Sequence, residues 1–143
     1  MTIVVFDSSA LAKLVVLEAG TEEATDLFVG CDAPVASQLA HPEVCAAIAA
    51  AQRAHRLTPA EASTALTAWS ALWPSVRTVD VSAAVSDRAA DLAVELAVRG
   101  ADAVHLSTYL ALGAPDAVLA SWDRRQREAA SAKGVRLAPV ALG

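Results

Sequence analysis

Short apolar runs alternate with longer helical patterns along this chain of 143 residues, and that alternation restricts the choice of folds more than any other feature. The first run is Thr2–Phe6, in which β-branched residues are nearly continuous. Such a run is typical of a strand that is buried on both faces. Strands that alternate with helices indicate a parallel sheet with helices on both faces. The sequence therefore predicts an α/β fold.

The predicted elements follow from the ends of these runs and from helix caps. We predict five strands, over Thr2–Phe6, Ala33–Ser37, Val76–Val81, Ala117–Ser121 and Arg136–Val140. The predicted helices are Ala10–Leu17 with a cap at Ser8 or Ser9, a segment capped by Thr21, about His41–Arg56, a segment capped by Thr58, a segment from Ser82 to Gly100, Asp102 to about Leu112, and Arg124–Lys133. The sequence contains no repeat, low-complexity tract or linker, so we expect a single domain over residues 1–143.

Composition excludes several classes of protein. The chain is 55% hydrophobic and 19% charged, which supplies a core and argues against disorder. No stretch approaches the roughly 20 apolar residues of a membrane-spanning helix, and the N-terminus lacks the basic lead of a signal peptide. Two cysteines, Cys31 and Cys45, are too few for a disulfide framework or a zinc site. We therefore expect a cytoplasmic protein without membrane contacts.

Four acidic residues are predicted to lie at one edge of the sheet. Asp7 ends the first strand, and Asp123 directly follows the fourth. Glu43 and Asp102 lie in the first turns of two helices, one that follows the second strand and one that precedes the fourth. In each case the topology places the residue at the C-terminal ends of the strands, which is where open α/β sheets bind ligands.

Carboxylates that gather without partners repel one another, at a cost on the order of 1 kcal/mol for a pair about 4 Å apart in water. Any one acid in a first helical turn is more commonly a cap or a partner of the helix dipole, so the metal interpretation depends on all four together. Oxygen-only ligands favour Mg²⁺ or Mn²⁺, and such an ion activates water for attack on a phosphodiester. Asp80, near the end of the third strand, is a fifth candidate.

Four segments resemble the PIN-domain proteins of the VapC toxin type: Phe6–Leu14, Pro42–Val44, Arg99–Leu106 and Ser121–Arg125. The resemblance implies a three-layer α/β sandwich with a five-stranded parallel sheet in the order 3-2-1-4-5. It also implies a Mg²⁺- or Mn²⁺-dependent endoribonuclease that forms a homodimer and is blocked by a small VapB-type antitoxin. By motif, the family's four acidic site residues are Asp7, Glu43, Asp102 and Asp123.

Several other polar residues are secondary candidates. Ser8 and Ser121 have hydroxyls that could hold a metal-bound water, and Ser121 stands where many relatives have threonine. His105 lies one turn after Asp102, where a packed or hydrogen-bonded histidine is the favoured interpretation and a base or ligand the minority one. His41 precedes Glu43 and could approach a substrate. The sequence offers no interpretation of Trp122, which is unusual for its segment.

The net charge of −5 conflicts with nucleic-acid binding, because nucleic-acid-binding proteins are usually basic. A bound metal would neutralise the acids, while local cations would hold the RNA backbone in a salt-sensitive way. The candidates for phosphate contact are Lys13, Arg99, Arg124, Arg125 and Arg127. The same acidic pocket could receive an arginine from the antitoxin. Trp69 and Trp73 lie at helical spacing, which favours packing in a core or a dimer over base stacking.

Two other functions fit parts of this pattern. A receiver-like regulatory domain also has acids at the sheet edge, but it would need an adjacent acidic pair after the first strand and a lysine after the fifth. Here Ser8 follows Asp7, and the chain after the fifth strand reads Ala141-Leu142-Gly143. A catalytically silent PIN domain that acts by binding is the second alternative, and the presence of all four acids argues against it.

Overall fold

The computed structural model describes residues 1–143 and contains a single five-stranded parallel sheet. The strands are β1 (Ile3–Phe6), β2 (Ala33–Ser37), β3 (Arg77–Val79), β4 (Val118–Ala120) and β5 (Leu137–Ala138). Their order across the sheet is β3-β2-β1-β4-β5, and every neighbouring pair is parallel. The predicted fold and strand order are therefore confirmed.

Seven helices cover the sheet. They are α1 (Ser8–Ala12), α2 (Thr21–Gly30), α3 (Ala40–Arg53), α4 (Pro59–Leu72), α5 (Ala83–Leu96), α6 (Gly100–Ala111) and α7 (Arg124–Ala132). A single 3₁₀ turn, Trp73–Ser75, follows α4. No helix has the length and apolar character that crossing a membrane would require.

Each face of the sheet has its own apolar core. On one face Phe6 of β1 packs with Ile48 of α3 and Trp69 of α4, all fully buried. On the other face Val5 of β1 packs with Leu106 of α6. Successive strand residues point to opposite faces, so the continuous apolar run of β1 supplies both cores. Of the two kinds of packing expected for Trp69, in a core or in a dimer, the structure shows the first, since only 1% of this residue is exposed.

Two helix starts differ from prediction. Asp7, and neither Ser8 nor Ser9, caps α1: its Oδ1 accepts a hydrogen bond from the Ala10 amide at 3.0 Å. Gly20, with φ 91°, is the N-cap residue of α2, whereas Thr21 was expected to cap this helix. A carboxylate competes better than a hydroxyl for amide donors, so the acid that was interpreted only as a site residue also begins the helix.

Several elements are shorter than predicted. Helix α1 ends at Ala12 where Leu17 was expected, and α3 ends at Arg53 where Arg56 was expected. Helix α5 ends at Leu96 because Ala97 adopts the left-handed conformation, with φ 52°. Gly100 therefore does not end α5 but begins α6, which leaves Asp102 in the first turn of α6.

Candidate active site

The structure brings Asp7, Glu43, Asp102 and Asp123 to the C-terminal edge of the sheet, where Arg99 contacts two of them and His105 a third. Asp7 follows β1, Glu43 lies in the first turn of α3, Asp102 in the first turn of α6, and Asp123 caps α7. Four separate elements thus each contribute one carboxylate.

Asp7 is the most deeply buried of these acids, with 4% of its surface exposed. Its Oδ1 accepts hydrogen bonds from Ser9 Oγ at 2.6 Å and from the Ala10 amide at 3.0 Å. Burial raises the pKa of Asp7, and it outweighs the opposing effects of His105 and of the Ser121 hydroxyl. Burial therefore disfavours the charged form of Asp7 more than its hydrogen bonds and the neighbouring histidine favour it.

Glu43 is fixed by two neighbours. Its Oε1 accepts a hydrogen bond from Ser8 Oγ and lies 2.5 Å from His105 Nε2. Burial alone would raise the pKa of Glu43, but the hydrogen bonds from His105 and Ser8 together hold it below its ordinary value. Glu43 is therefore ionised at neutral pH, and its Oε2 accepts no hydrogen bond from the chain.

His105 lies at the centre of the cluster, with 3% of its surface exposed. Burial lowers the pKa of His105, but the hydrogen bond to Glu43 and the charge of Asp7 outweigh it and raise the pKa overall. Its Nδ1 is buried without a partner, and its Nε2 also lies 3.1 Å from Ser8 Oγ. His105 is thus the buried, hydrogen-bonded histidine that the sequence favoured, and its contact with Glu43 places it in the acidic site. Its spacing one turn after Asp102 was the available signal.

Arg99 links the other two acids. Its Nε lies 3.2 Å from Asp102 Oδ2, and its Nη2 lies 3.4 Å from Asp123 Oδ2. The second oxygen of Asp123 is also engaged, since Oδ1 accepts a hydrogen bond from the Gln126 amide at 3.1 Å. One guanidinium thus bridges carboxylates that lie on two different helices.

The secondary candidates differ in where they lie relative to the acids. Ser8 contacts Glu43, and the buried Ser121 hydroxyl accepts a hydrogen bond from the Asp123 amide at 3.2 Å. Both serines therefore lie among the acids. Arg127, in contrast, is buried and donates to the Ser121 carbonyl at 2.9 Å and to carbonyls after β5, so its prediction as a phosphate contact is wrong.

The remaining cations are exposed or partly held. Arg124 and Arg125 follow Asp123 on the surface and form no ion pair. Lys13 Nζ lies 3.1 Å from Glu18 Oε1 and 2.8 Å from the Ala19 carbonyl, and it sits 5.5 Å from the centre of the Trp122 ring.

Trp122, which the sequence left without an interpretation, fills a place between Lys13 and Gly20. A Cβ atom added at Gly20 would lie only 2.6 Å from Trp122 Nε1. The absence of a side chain at Gly20 is therefore what allows the indole to pack there, next to Asp123. The backbone amide of Trp122 also donates to Ser9 Oγ at 3.0 Å.

Two weaker candidates do not join the cluster. His41 Nδ1 accepts a hydrogen bond from Trp69 Nε1 at 2.9 Å, and its ring stacks on Trp73 with 5.2 Å between ring centres. Asp80 is exposed after β3, which is the outermost strand on its side of the sheet. His41 thus has a packing role. Asp80 lies away from the acids because β2 separates β3, the strand before Asp80, from β1, the strand before Asp7.

A cavity of about 610 Å³ opens beside the acids. Ser8, Glu43 and Asp123 form its end at the cluster, while Lys13, Arg56 and Trp122 contribute further walls. Ligand-binding clefts commonly have volumes of this order. A substrate segment could therefore lie against the carboxylates.

The donors fit a hard divalent cation in type, because all four acids offer carboxylate oxygens, which Mg²⁺ and Mn²⁺ prefer. The buried Asp7 carboxylate, which has no cation paired with it directly, supports that fit. No group of three His, Cys, Asp or Glu side chains is arranged to hold a metal ion. Arg99 and His105 instead contact three of the acids, so ion binding would require the carboxylates to exchange these partners.

The family model described as "PIN domain" matches residues 4–132. Ribonuclease VapC45 and Ribonuclease VapC49, both of Mycobacterium tuberculosis, are each 48% identical to the chain over 142 residues, which is 99% of either sequence.

Solved structures show the same fold at low identity. VapC20 of Mycobacterium tuberculosis, described as a sarcin-ricin loop cleaving toxin, has a TM-score of 0.66 at 21% identity and covers 92% of this chain and 95% of its own. PAE2754 from Pyrobaculum aerophilum has a TM-score of 0.68 at 18% identity, with 90% and 84% covered. DNA-bound VapBC from Salmonella typhimurium has a TM-score of 0.62 at 15% identity, with 96% and 97% covered.

Proposed function

Because the chain belongs to the PIN-domain family, we propose that it is a divalent-metal-dependent endoribonuclease and the toxin of a toxin–antitoxin pair. Its relatives at 48% identity are named ribonucleases of the VapC type. The observation that carries the proposal is the set of four carboxylates from four elements at the sheet edge, two of which, Glu43 and Asp123, line a cavity.

In the proposed site Mg²⁺ or Mn²⁺ would be held by Asp7, Glu43, Asp102 and Asp123, and it would supply an activated water and offset phosphate charge. Glu43 is ionised and oriented by Ser8 and His105, so its free Oε2 can accept a proton from an attacking water. Ser121 holds the Asp123 backbone and contacts the Asp7 carboxylate. These contacts keep the acids in place while RNA binds.

The proposed partners follow from the same site. A VapB-type antitoxin would block it, with an arginine paired to the carboxylates and an apolar segment in the adjoining cavity. Ala47, Ile48 and Ala51 of α3 form an apolar wall of that cavity. We further propose a homodimer in the cytoplasm, since these features accompany the VapC resemblance.

The direct test is Asp102→Asn, expressed without the antitoxin and purified for RNA cleavage with Mg²⁺. We expect a loss of at least about 100-fold in cleavage rate, because the substitution removes a charged oxygen from the proposed ligand set. Asp91→Asn is the matched control, since Asp91 lies exposed on α5. Growth inhibition and cleavage by Asp102→Asn equal to those of the parent would contradict the proposal.

The same experiment separates the alternatives. The PIN-domain match leaves no support for a receiver-like module, and Pro139 and Val140, not a lysine, follow β5. A catalytically silent PIN domain would give no cleavage in either the parent or Asp102→Asn. In that case growth inhibition, if retained, would come from binding alone.

A further inference from the structure

One side chain, Arg99, places a positive charge between two of the proposed metal ligands. Its guanidinium donates to Asp102 Oδ2 and Asp123 Oδ2, at 3.2 and 3.4 Å. The side chain makes no other hydrogen bond and is 67% exposed. Ion pairs at exposed positions are weak, so this bridge holds Arg99 loosely.

The other cations near the acids are differently placed. Arg127 is buried and satisfies backbone carbonyls, and Lys13 is held by Glu18 and the Ala19 carbonyl. Arg124 and Arg125 form no ion pair with the four acids. Arg99 is therefore the one arginine whose guanidinium lies among the carboxylates.

A divalent cation would compete with Arg99 for the same oxygens. It carries twice the charge, and Mg²⁺ bonds carboxylate oxygens at about 2.0–2.1 Å, well inside the separations that Arg99 reaches. Arg99 is the N-cap residue of α6, so a displaced guanidinium would stay at the rim of the site. Its fork of N–H donors matches the geometry of a phosphate group.

We propose that Arg99 is a phosphate-contact residue of this nuclease site, held by Asp102 and Asp123 until a divalent cation takes those carboxylates. The inference rests on the proposed function, since it needs both the metal and a phosphodiester substrate. It gives Arg99 two successive partners, the acids first and the RNA backbone second.

The first measurement is Mn²⁺ binding by isothermal titration calorimetry, without RNA. Arg99→Gln removes the competing charge, so we expect Mn²⁺ to bind about three- to tenfold more tightly than to the parent, as two weak ion pairs are no longer broken. Arg88→Gln, the same change at an exposed arginine of α5 that has no part in the proposed site, is expected to match the parent. Equal or weaker Mn²⁺ binding by Arg99→Gln would overturn the exchange.

The second measurement is the salt dependence of RNA binding, followed by fluorescence anisotropy of a labelled single-stranded oligoribonucleotide. With Ca²⁺ as the divalent probe, we expect the slope of log affinity against log salt to be shallower in Arg99→Gln by about 0.7, the loss of one phosphate contact. With EDTA, where Arg99 stays on the acids, the two slopes should agree. Equal slopes in Ca²⁺, or the same difference in both conditions, would overturn the phosphate contact.

The outcomes distinguish this inference from the proposed function. If the parent binds Mn²⁺ and cleaves RNA while Arg99→Gln behaves like the parent in both measurements, only the role of Arg99 is overturned. If the parent does not bind Mn²⁺, and Asp102→Asn cleaves RNA as fast as the parent, the nuclease site and the role of Arg99 are overturned together.

Discussion

Asp7 serves the fold and the proposed chemistry with the same carboxyl group. Oδ1 caps α1 through the Ala10 amide and accepts the Ser9 hydroxyl, while burial raises the pKa of the group. For an acid whose pKa is higher in the folded state, ionisation destabilises the fold as pH rises from the ordinary value through the raised one. The parent therefore carries a growing cost as pH rises through that range, unless a cation offsets it.

Asp7→Asn should separate the two roles. Asparagine can still cap α1 but cannot ionise, so without metal we expect a melting temperature about 2–5 °C above that of the parent. Millimolar Mg²⁺ or Mn²⁺ should raise the melting temperature of the parent by mass action on the native state and leave Asp7→Asn nearly unchanged. Thermal unfolding with and without Mg²⁺ measures both effects.

A parent melting curve that Mg²⁺ does not move, together with a more stable Asp7→Asn, would mean that the acids cluster without holding the ion. Asp91→Asn serves as the control for a change of net charge alone, because Asp91 is exposed on α5.

Among the elements, α7 is the one joined to the sheet by a buried cation. Arg127 Nη1 donates to the Ser121 carbonyl at 2.9 Å, and Nη2 donates to the Pro139 and Val140 carbonyls at 2.7 and 3.2 Å. Strand β5 pairs with β4 over only two residues, Leu137 and Ala138. Arg127 thus supplies much of what holds the chain after β5 against the end of β4.

We expect Arg127→Met to lower the free energy of unfolding by about 2–4 kcal/mol. The substitution keeps the aliphatic stem but leaves three carbonyls, two at the edge of the molecule and one buried, without their donor. Arg125→Met, on the exposed side of the same helix, should stay within about 0.5 kcal/mol of the parent. Urea denaturation of the three proteins gives the comparison, and equal destabilisation by both variants would contradict the role of Arg127.

At the scale of the whole molecule, the sequence predicted what depends on local pattern and topology. Alternating strands and helices gave the sheet, and the position of each acid relative to its strand placed Asp7 and Asp123 at the right edge. Arg127 was misinterpreted because a surface-type residue on a short helix gives no local sign that backbone carbonyls elsewhere will need it. The link from Arg99 to Asp123 and the contact of His105 with Glu43 are long-range pairings, which periodicity and caps do not report.

The contact of His105 with Glu43 should be visible in the pH dependence of global stability. The pKa of His105 is raised, so its stabilisation is complete below its ordinary value of 6.5 and is lost as pH rises through the raised value. The pKa of Glu43 is lowered, so its stabilisation is present above 4.5 and is lost as pH falls through the lowered value. The pair therefore contributes most between about pH 4.5 and 6.5.

Urea denaturation across pH 4 to 9 tests this window. In Glu43→Gln the decline in the free energy of unfolding above pH 6.5 should be smaller than in the parent, because neutral glutamine no longer stabilises the histidinium. Lys13→Gln is a control, since its ion pair with Glu18 involves neither residue. A pH profile of Glu43→Gln that runs parallel to that of the parent would show that the pair does not act as an ion pair.

The close approach of Gly20 to Trp122 has a consequence for sequence change in related chains. A methyl group at position 20 would meet the indole at 2.6 Å, so the two positions cannot vary independently. A small residue at position 122 would remove this clash, but φ 91° at position 20 disfavours a side chain even then, so a chain that keeps the indole has two reasons to keep glycine. Because Trp122 directly precedes Asp123, sequence change in the loop before α2 is linked in this way to the site.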